Sequence, residues 1–112
     1  MKGISETAFA TQVEHLLRQY GWRFMHIKPS VMQSGRWASS MNPEGKGYPD
    51  YTAVRRGRLL FIELKSERGK ISPDQEEWLD DLINVARHTN FQEIQVYEWR
   101  PHMVEEISEI LR

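Results

Sequence analysis

Three residues have the types and spacing to do chemistry together: Asp50, Glu63 and Lys65. Asp50 stands just ahead of one predicted β-strand. Glu63 and Lys65 end the next, in the run Leu59-Leu60-Phe61-Ile62-Glu63-Leu64-Lys65. Side chains two apart on a strand project from the same face. Glu63 and Lys65 therefore point together, and Leu60, Ile62 and Leu64 point the other way. Leu59 and Phe61 share the Glu63 face further back, so the strand is apolar on both sides and is expected at the centre of its sheet. A carboxylate and an ammonium at the end of such a strand each need a partner. Asp50 and Glu63 could share a divalent cation, with Lys65 beside an attacking water. Phosphodiester hydrolysis has these needs: an activated water, neutralisation of charge growing on the phosphoryl oxygens, and help for the leaving oxygen.

Those groups converge only if the chain between them folds back. Tyr51-Thr52-Ala53-Val54-Arg55 reads as a strand, Arg56-Gly57 as a tight turn, and Arg58 to Lys65 as the returning strand. The 13 residues from Asp50 to Glu63 thus span two strands and a turn, which can set Asp50 opposite Glu63 and Lys65. A polar loop over 66–71 follows. Ser72-Pro73-Asp74-Gln75 then has the form of a capping box, with Ser72 as N-cap, Pro73 at the first helical position and Gln75 at the third. The helix is expected to reach about His88 and to bury Trp78, Leu79, Leu82, Ile83 and Ala86.

Upstream, Ser5 is an N-cap and Glu6 suits the first turn of a helix. Phe9, Val13, Leu16, Leu17 and Tyr20 recur at helical spacing before Gly21, which predicts a helix over about 6–20. Residues 22–28 alternate as a strand that ends at Pro29. From Pro29 to Gly47 the chain is rich in Ser, Gly, Asn and Pro without a period, and a loop of that length is usually functional or mobile. It carries Arg36, Trp37 and Lys46, a mix that suits a nucleic-acid backbone and an unstacked base. The plainer reading is a surface loop with Trp37 packed back on the core. Residues 92–99 alternate as a fourth strand, Arg100-Pro101 breaks it, and a short helix to Leu111 presents Val104, Ile107 and Leu111. The order is α-β-β-β-α-β-α. The strand–helix–strand crossover predicts parallel pairing of the third and fourth strands. The expected fold is a single α/β domain over 1–112, a four-stranded mixed sheet flanked by helices with one more helix at its C-terminal end.

At 112 residues, with 39% hydrophobic and 28% charged residues, the chain suits one globular core. With no cysteine, disulfides and thiolate metal sites are excluded. His15, His26, His88 and His102 are scattered without metal-ligand spacing, although His26 lies on the first strand near the proposed site. Ser39, Ser40 and Ser66 lack the setting of a nucleophilic serine. No apolar run has the length of a membrane span and the N-terminal residues lack a signal-peptide core, so a cytoplasmic protein is expected. The net charge of −1 gives no nucleic-acid signal, but its distribution does. Residues 28–70 hold nine basic and four acidic residues, a local excess of +5 against −6 elsewhere. Lys46, Arg55, Arg58, Arg68 and Lys70 join Arg36 as candidate phosphate contacts.

Pro49-Asp50, a hairpin, then Glu63-Leu64-Lys65 resembles the PD-(D/E)XK signature of metal-dependent nucleases. With Gly47-Tyr48 ahead of it and Ser72-Pro73-Asp74-Gln75-Glu76-Glu77-Trp78-Leu79 behind, the chain from about Ser5 to Trp99 is similar to the VRR-NUC family, which contains small stand-alone phage and bacterial nucleases. The resemblance implies a restriction-endonuclease-like αβββαβ core and Mg²⁺- or Mn²⁺-dependent cutting of DNA. It implies structure-selective action on branched, nicked or junction DNA in replication, repair or recombination, inside a bacterial or phage-infected cell. Asp50, Glu63 and the Leu64 carbonyl would hold the metal, Glu6 would complete its shell, Lys65 would act on the attacking water, and Gln75 would steady water or Lys65. Homodimers are expected of such stand-alone members, through apolar surface of the C-terminal helix or the 29–47 loop, and replication or helicase proteins are further partners. Two other classes stand beside this one: a non-catalytic nucleic-acid-binding module on the same fold, and an interaction domain whose Lys65 ion pair is only architectural. Cation binding separates the last from the others.

Overall fold

The computed structural model describes residues 3–27, 30–31, 37–38, 42–89 and 93–112. Helix α1 runs Glu6–Gln19, strand β1 Arg23–His26, β2 Ser30–Val31, β3 Trp37–Ala38, β4 Tyr51–Arg55 and β5 Arg58–Leu64. Helix α2 is Pro73–His88, β6 is Ile94–Trp99 and α3 is Val104–Leu111, with single 3-10 turns at Pro43–Gly45 and Pro101–Met103. The main sheet has the order β1-β4-β5-β6. β1 with β4 and β4 with β5 are antiparallel, and β5 with β6 is parallel, as the crossover through α2 requires. The stretch read as a structureless loop holds a small β2–β3 pair of its own, two residues on each strand. Patterns that short leave no period to detect.

Each strand face has its own cover. Leu60, Ile62 and Leu64 of β5 pair or neighbour Ala53, Tyr51 and Trp99 on one face. That face is closed by Phe9, Val13 and Leu17 of α1 and by Ile107 and Leu111 of α3, all fully buried. Burying such side chains is worth roughly 1.5–3 kcal/mol each. The C-terminal helix therefore commits its apolar face to this core; only Val104 stays partly open, at 37% exposure. On the other face α2 is buried less deeply than its spacing predicts: Leu79 is buried, and Trp78, Leu82, Ile83 and Ala86 are half-buried.

Two arginines expected near a phosphate backbone close the far end of the molecule instead. Arg55 Nη1 donates to the carbonyls of Tyr20 and Leu111, both at 2.8 Å, and Nη2 to the Arg112 carbonyl at 3.1 Å. Arg58 donates to the Ile110 carbonyl at 3.1 Å and to Gln95 Oε1 at 2.8 Å. Both guanidiniums lie over the Trp22 ring, 4.7 and 5.0 Å from its centroid. The carbonyls at helix C-terminal ends lack intrahelical partners and carry the negative end of the dipole, so cations belong there. Arg58 begins the strand that Glu63 and Leu64 end, which sets these arginines about 15–20 Å from the acids.

Glycine is required at one turn next to the acids. Gly47 has φ +88°, and a Cβ there would meet the backbone carbon of Asp74 at 2.5 Å and the nitrogen of Gln75 at 2.7 Å. The segment leading to Asp50 is thus laid directly on the first turn of α2. Gly21 also has positive φ, but open space surrounds it. Gly21→Ala should cost only the left-handed backbone strain, about 1–2 kcal/mol. Gly47→Ala adds a steric clash and should cost clearly more, which urea unfolding of the two variants will compare.

Candidate active site

Asp50 precedes β4 and Glu63 is the penultimate residue of the neighbouring β5, so antiparallel pairing of Tyr51 with Ile62 brings them side by side. Asp50 Oδ2 accepts the Leu64 N–H at 2.9 Å. That bond satisfies a strand N–H that β4 is too short to reach and fixes the carboxylate at the strand end. Glu63 is 1% exposed, the one charged residue buried among the described residues. Its Oε1 accepts from Gln75 Nε2 at 2.8 Å.

The orientation of Gln75 follows from its place in the helix cap. Ser72 Oγ accepts the Gln75 N–H at 3.2 Å, and Gln75 Oε1 accepts the Ser72 N–H at 2.9 Å. With its oxygen committed to the cap, the amide must present its NH₂ to Glu63. The capping role and the site role of Gln75 are both realised, by opposite ends of one amide.

The second oxygen, Glu63 Oε2, is buried and meets no hydrogen-bond donor among the described residues. Burial and the neighbouring Asp50 push the Glu63 carboxyl up to about 8, with Lys65 and the Asp50 backbone N–H opposing and Glu6 adding a little. Burial also raises Asp50, against the opposing Leu64 N–H, His26 and Lys65. Two acids that resist ionisation side by side, one with an unpartnered oxygen, form a donor set that a divalent cation would satisfy. Among the described residues, no three His, Asp or Glu side chains gather into a group able to hold a metal. Glu6, expected in the metal shell, stays exposed in the first turn of α1 and reaches Glu63 through its charge alone. The protein side of the site is therefore two carboxylates with the backbone beside them. That fits Mg²⁺, which usually keeps several waters.

Lys65 follows on the same edge and lowers both acids electrostatically. The loop after it is shaped by a residue that sequence reading treated only as a strand breaker. Arg100 Nη1 donates to the carbonyls of Ser66 at 2.7 Å, Glu67 at 3.2 Å and Gly69 at 2.7 Å. Gly69 lets the loop fold tightly, since a Cβ there would meet Ser66 Oγ at 2.9 Å and Lys65 Cδ at 3.4 Å. Arg68 and Lys70 are exposed on this loop. Lys46 lies at the start of α2 in an open ion pair with Asp74 at 3.4 Å. Arg36 lies outside the described residues. Of the candidate phosphate contacts, Lys46, Arg68 and Lys70 remain at this end of the sheet, and Arg55 and Arg58 do not.

Behind Asp50, on the α1 face, is a network that the sequence did not announce. Glu14 Oε2 accepts the Tyr51 hydroxyl at 2.5 Å and lies 3.1 Å from His26 Nδ1. The His26 ring stacks on Tyr51 at 4.1 Å. Burial of Glu14 is outweighed by Tyr51 and His26, which hold its carboxyl below the usual range. Tyr51 is driven up by burial and by Glu14, so it stays a neutral donor. The pairing of His26 with Tyr51 and the bond from the Ile27 N–H to the Asp50 carbonyl, 3.1 Å, fix the backbone that carries Asp50. Glu14 was hidden in the sequence as one polar residue on an amphipathic helix.

An acid with a raised folded pKa holds its proton more tightly in the folded state than in the unfolded one. The stability from Glu63 is therefore complete below its ordinary value of 4.5 and is lost as pH rises towards about 8. Metal-free protein should melt at progressively lower temperature across that window, and Glu63→Gln should flatten the dependence. Arg55→Ala should cost on the order of 1–3 kcal/mol of stability through its lost carbonyl contacts, while DNA affinity in a titration stays at the wild-type value.

No curated protein sequence matches the chain. The family model of the VRR-NUC domain matches residues 27–98, a span that contains Asp50, Glu63, Leu64, Lys65 and Gln75. The fold, the paired acids at the end of its central strand and this match together place the chain in the VRR-NUC family of nuclease domains.

Proposed function

We propose that this nuclease domain is a Mg²⁺- or Mn²⁺-dependent DNA endonuclease that acts on branched, nicked or junction DNA. The observation that carries the reading is the unpartnered, buried Glu63 Oε2 beside Asp50 and Lys65. Among the described residues Arg55 Nε and Trp99 Nε1 are also buried without partners, but only Glu63 Oε2 is a carboxylate oxygen with a second acid beside it.

Asp50 and Glu63 would hold the cation. The Leu64 carbonyl would contribute as well, because N–H and C=O of one strand residue lie on the same strand edge and the Leu64 N–H is already turned to Asp50. When bound, the cation supplies Lewis-acid stabilisation of the phosphoryl oxygens and lowers the pKa of water. Lys65 orients the attacking water and holds positive charge against the developing transition state. Gln75 keeps Glu63 in one rotamer, so the carboxylate is already aimed before substrate arrives. Glu6 adds negative potential that favours cation entry. Lys46, Arg68 and Lys70 receive the backbone on either side. One such site cuts one strand, so cutting both strands of a junction requires two copies about a two-fold axis. We infer a homodimer on that ground, with cytoplasmic replication or helicase proteins as further partners.

Calorimetry with Mn²⁺ should give saturable binding that Asp50→Asn weakens at least tenfold. Lys65→Ala should retain most of that binding and lose about a hundredfold in cleavage rate. Wild-type turnover by Lys65→Ala would leave Glu63-Leu64-Lys65 as architecture and overturn the nuclease mechanism.

A further inference from the structure

One apolar cavity opens beside the acids and has no part in the chemistry above. It has a volume of about 330 Å³ and is lined by Met25, Ile27, Tyr48 and Trp78, with Asn42 and Glu44 at its polar border. It lies on the same face of the sheet as the acids. Met25 pairs with Thr52, Thr52 with Phe61, and Asp50 and Glu63 are two residues further along those strands. Tyr48 and Asp50 are separated by Pro49 alone, a span of about 7 Å. The cavity and the acids are thus built from one short segment.

Its walls are fixed before anything enters. The Trp78 indole N–H donates to the Glu44 carbonyl at 3.0 Å. The Tyr48 hydroxyl is 2.9 Å from Thr52 Oγ1, and the Tyr48 ring meets Trp78 edge-on at 5.0 Å and Phe61 at 6.3 Å. Met25 lies 58% exposed on the edge strand, and Val54 on the same face is 43% exposed. Helix α2 sits towards the opposite edge of this face, where its Leu79 and Ile83 line a groove with Val96 of β6.

The charge around the cavity selects the occupant. Glu44 stands at its rim, and the adjoining groove along α2 carries Asp74, Glu77 and Asp81 against the cation Lys46, which is already paired with Asp74. The net charge between Glu44 and Asp81 disfavours a phosphate inside the cavity, leaving Lys46 to meet the backbone at its edge, whereas a planar, uncharged, polarisable group is not repelled. Asn42 and Glu44 offer hydrogen-bonding atoms to the edge of such a group.

We propose that this cavity receives one unstacked nucleobase of the DNA, adjacent to the phosphate held at Asp50 and Glu63. The inference rests on the nuclease reading and narrows its substrate class. An unpaired nucleotide at a bulge, flap or nick can enter directly. A base in an intact pair must first be unstacked. Aromatic walls favour the entry of any base, so the selection is for structure rather than sequence.

The test uses the metal-free protein and a DNA duplex with one bulged 2-aminopurine. Saturable change in its fluorescence is expected, with affinity about tenfold above that for the fully paired duplex. Met25→Glu, at an exposed position where folding is checked by circular dichroism, should remove that advantage and leave the paired duplex unaffected. An abasic bulge should bind wild type no better than paired DNA does. Equal affinity of wild type for bulged, abasic and paired DNA, or no effect of Met25→Glu, overturns the proposal. Cleavage with Mn²⁺ is read separately. Base capture without any cutting supports the cavity and counts against the nuclease mechanism; cutting without base capture does the reverse.

Discussion

A carboxylate held almost wholly out of water at the end of a central strand governs the arrangement of this protein. Its surroundings pull in two directions: the Gln75 amide from the helix cap and Lys65 one step outward favour its charge, while burial and Asp50 from the neighbouring strand oppose it. Removing an ion from water is costly, and that cost, with Asp50 adding to it, is what pushes the Glu63 carboxyl up to about 8. The capping box turns the Gln75 amide, Gly47 allows the Asp50 segment to lie on the same helical turn, and Arg100 gathers the loop after Lys65. These devices leave one oxygen without a protein partner among the described residues. That oxygen is the feature on which the proposed cation site rests.

Much of this could be read from the chain. The alternation of β5, the two-residue turn at Arg56-Gly57, both with positive φ, and the capping box at Ser72 are local features whose causes lie within a few residues. Asp50, Glu63 and Gln75 were legible because the elements joining them are short. What escaped the sequence depends on contacts between distant segments. Arg55 and Arg58 looked like part of a basic stripe, yet their partners are carbonyls at 20 and at 110–112. Charge along a chain says nothing of which end of a sheet it will reach. Glu14 and Arg100 escaped for the same reason, one on a polar helix flank and the other before a proline. Glu6 fits the first turn of its helix, and a place in the first turn does not bring it into the cluster.

The two faces of the sheet divide the labour. One is closed by α1 and α3 with fully buried aromatic and aliphatic side chains. The other carries the acids and is covered by α2 over only part of its width, which leaves Met25 and Val54 open to water. A small domain has little apolar area to spare, so an open apolar half-face next to a reactive centre is a feature that packing alone does not require.

The match to the family ends before α3 and begins after α1. The matched stretch thus contains every group assigned to the chemistry except Glu6, and none of Phe9, Val13, Leu17, Ile107 or Leu111, which roof the opposite face. Within residues 27–98, Tyr51, Leu60, Ile62 and Leu64 would lie bare on that side. The reactive half of this fold is in that sense a lodger. Here the roof is more than apolar cover, since α1 also sends Glu14 through it to Tyr51 and His26, behind the backbone that carries Asp50.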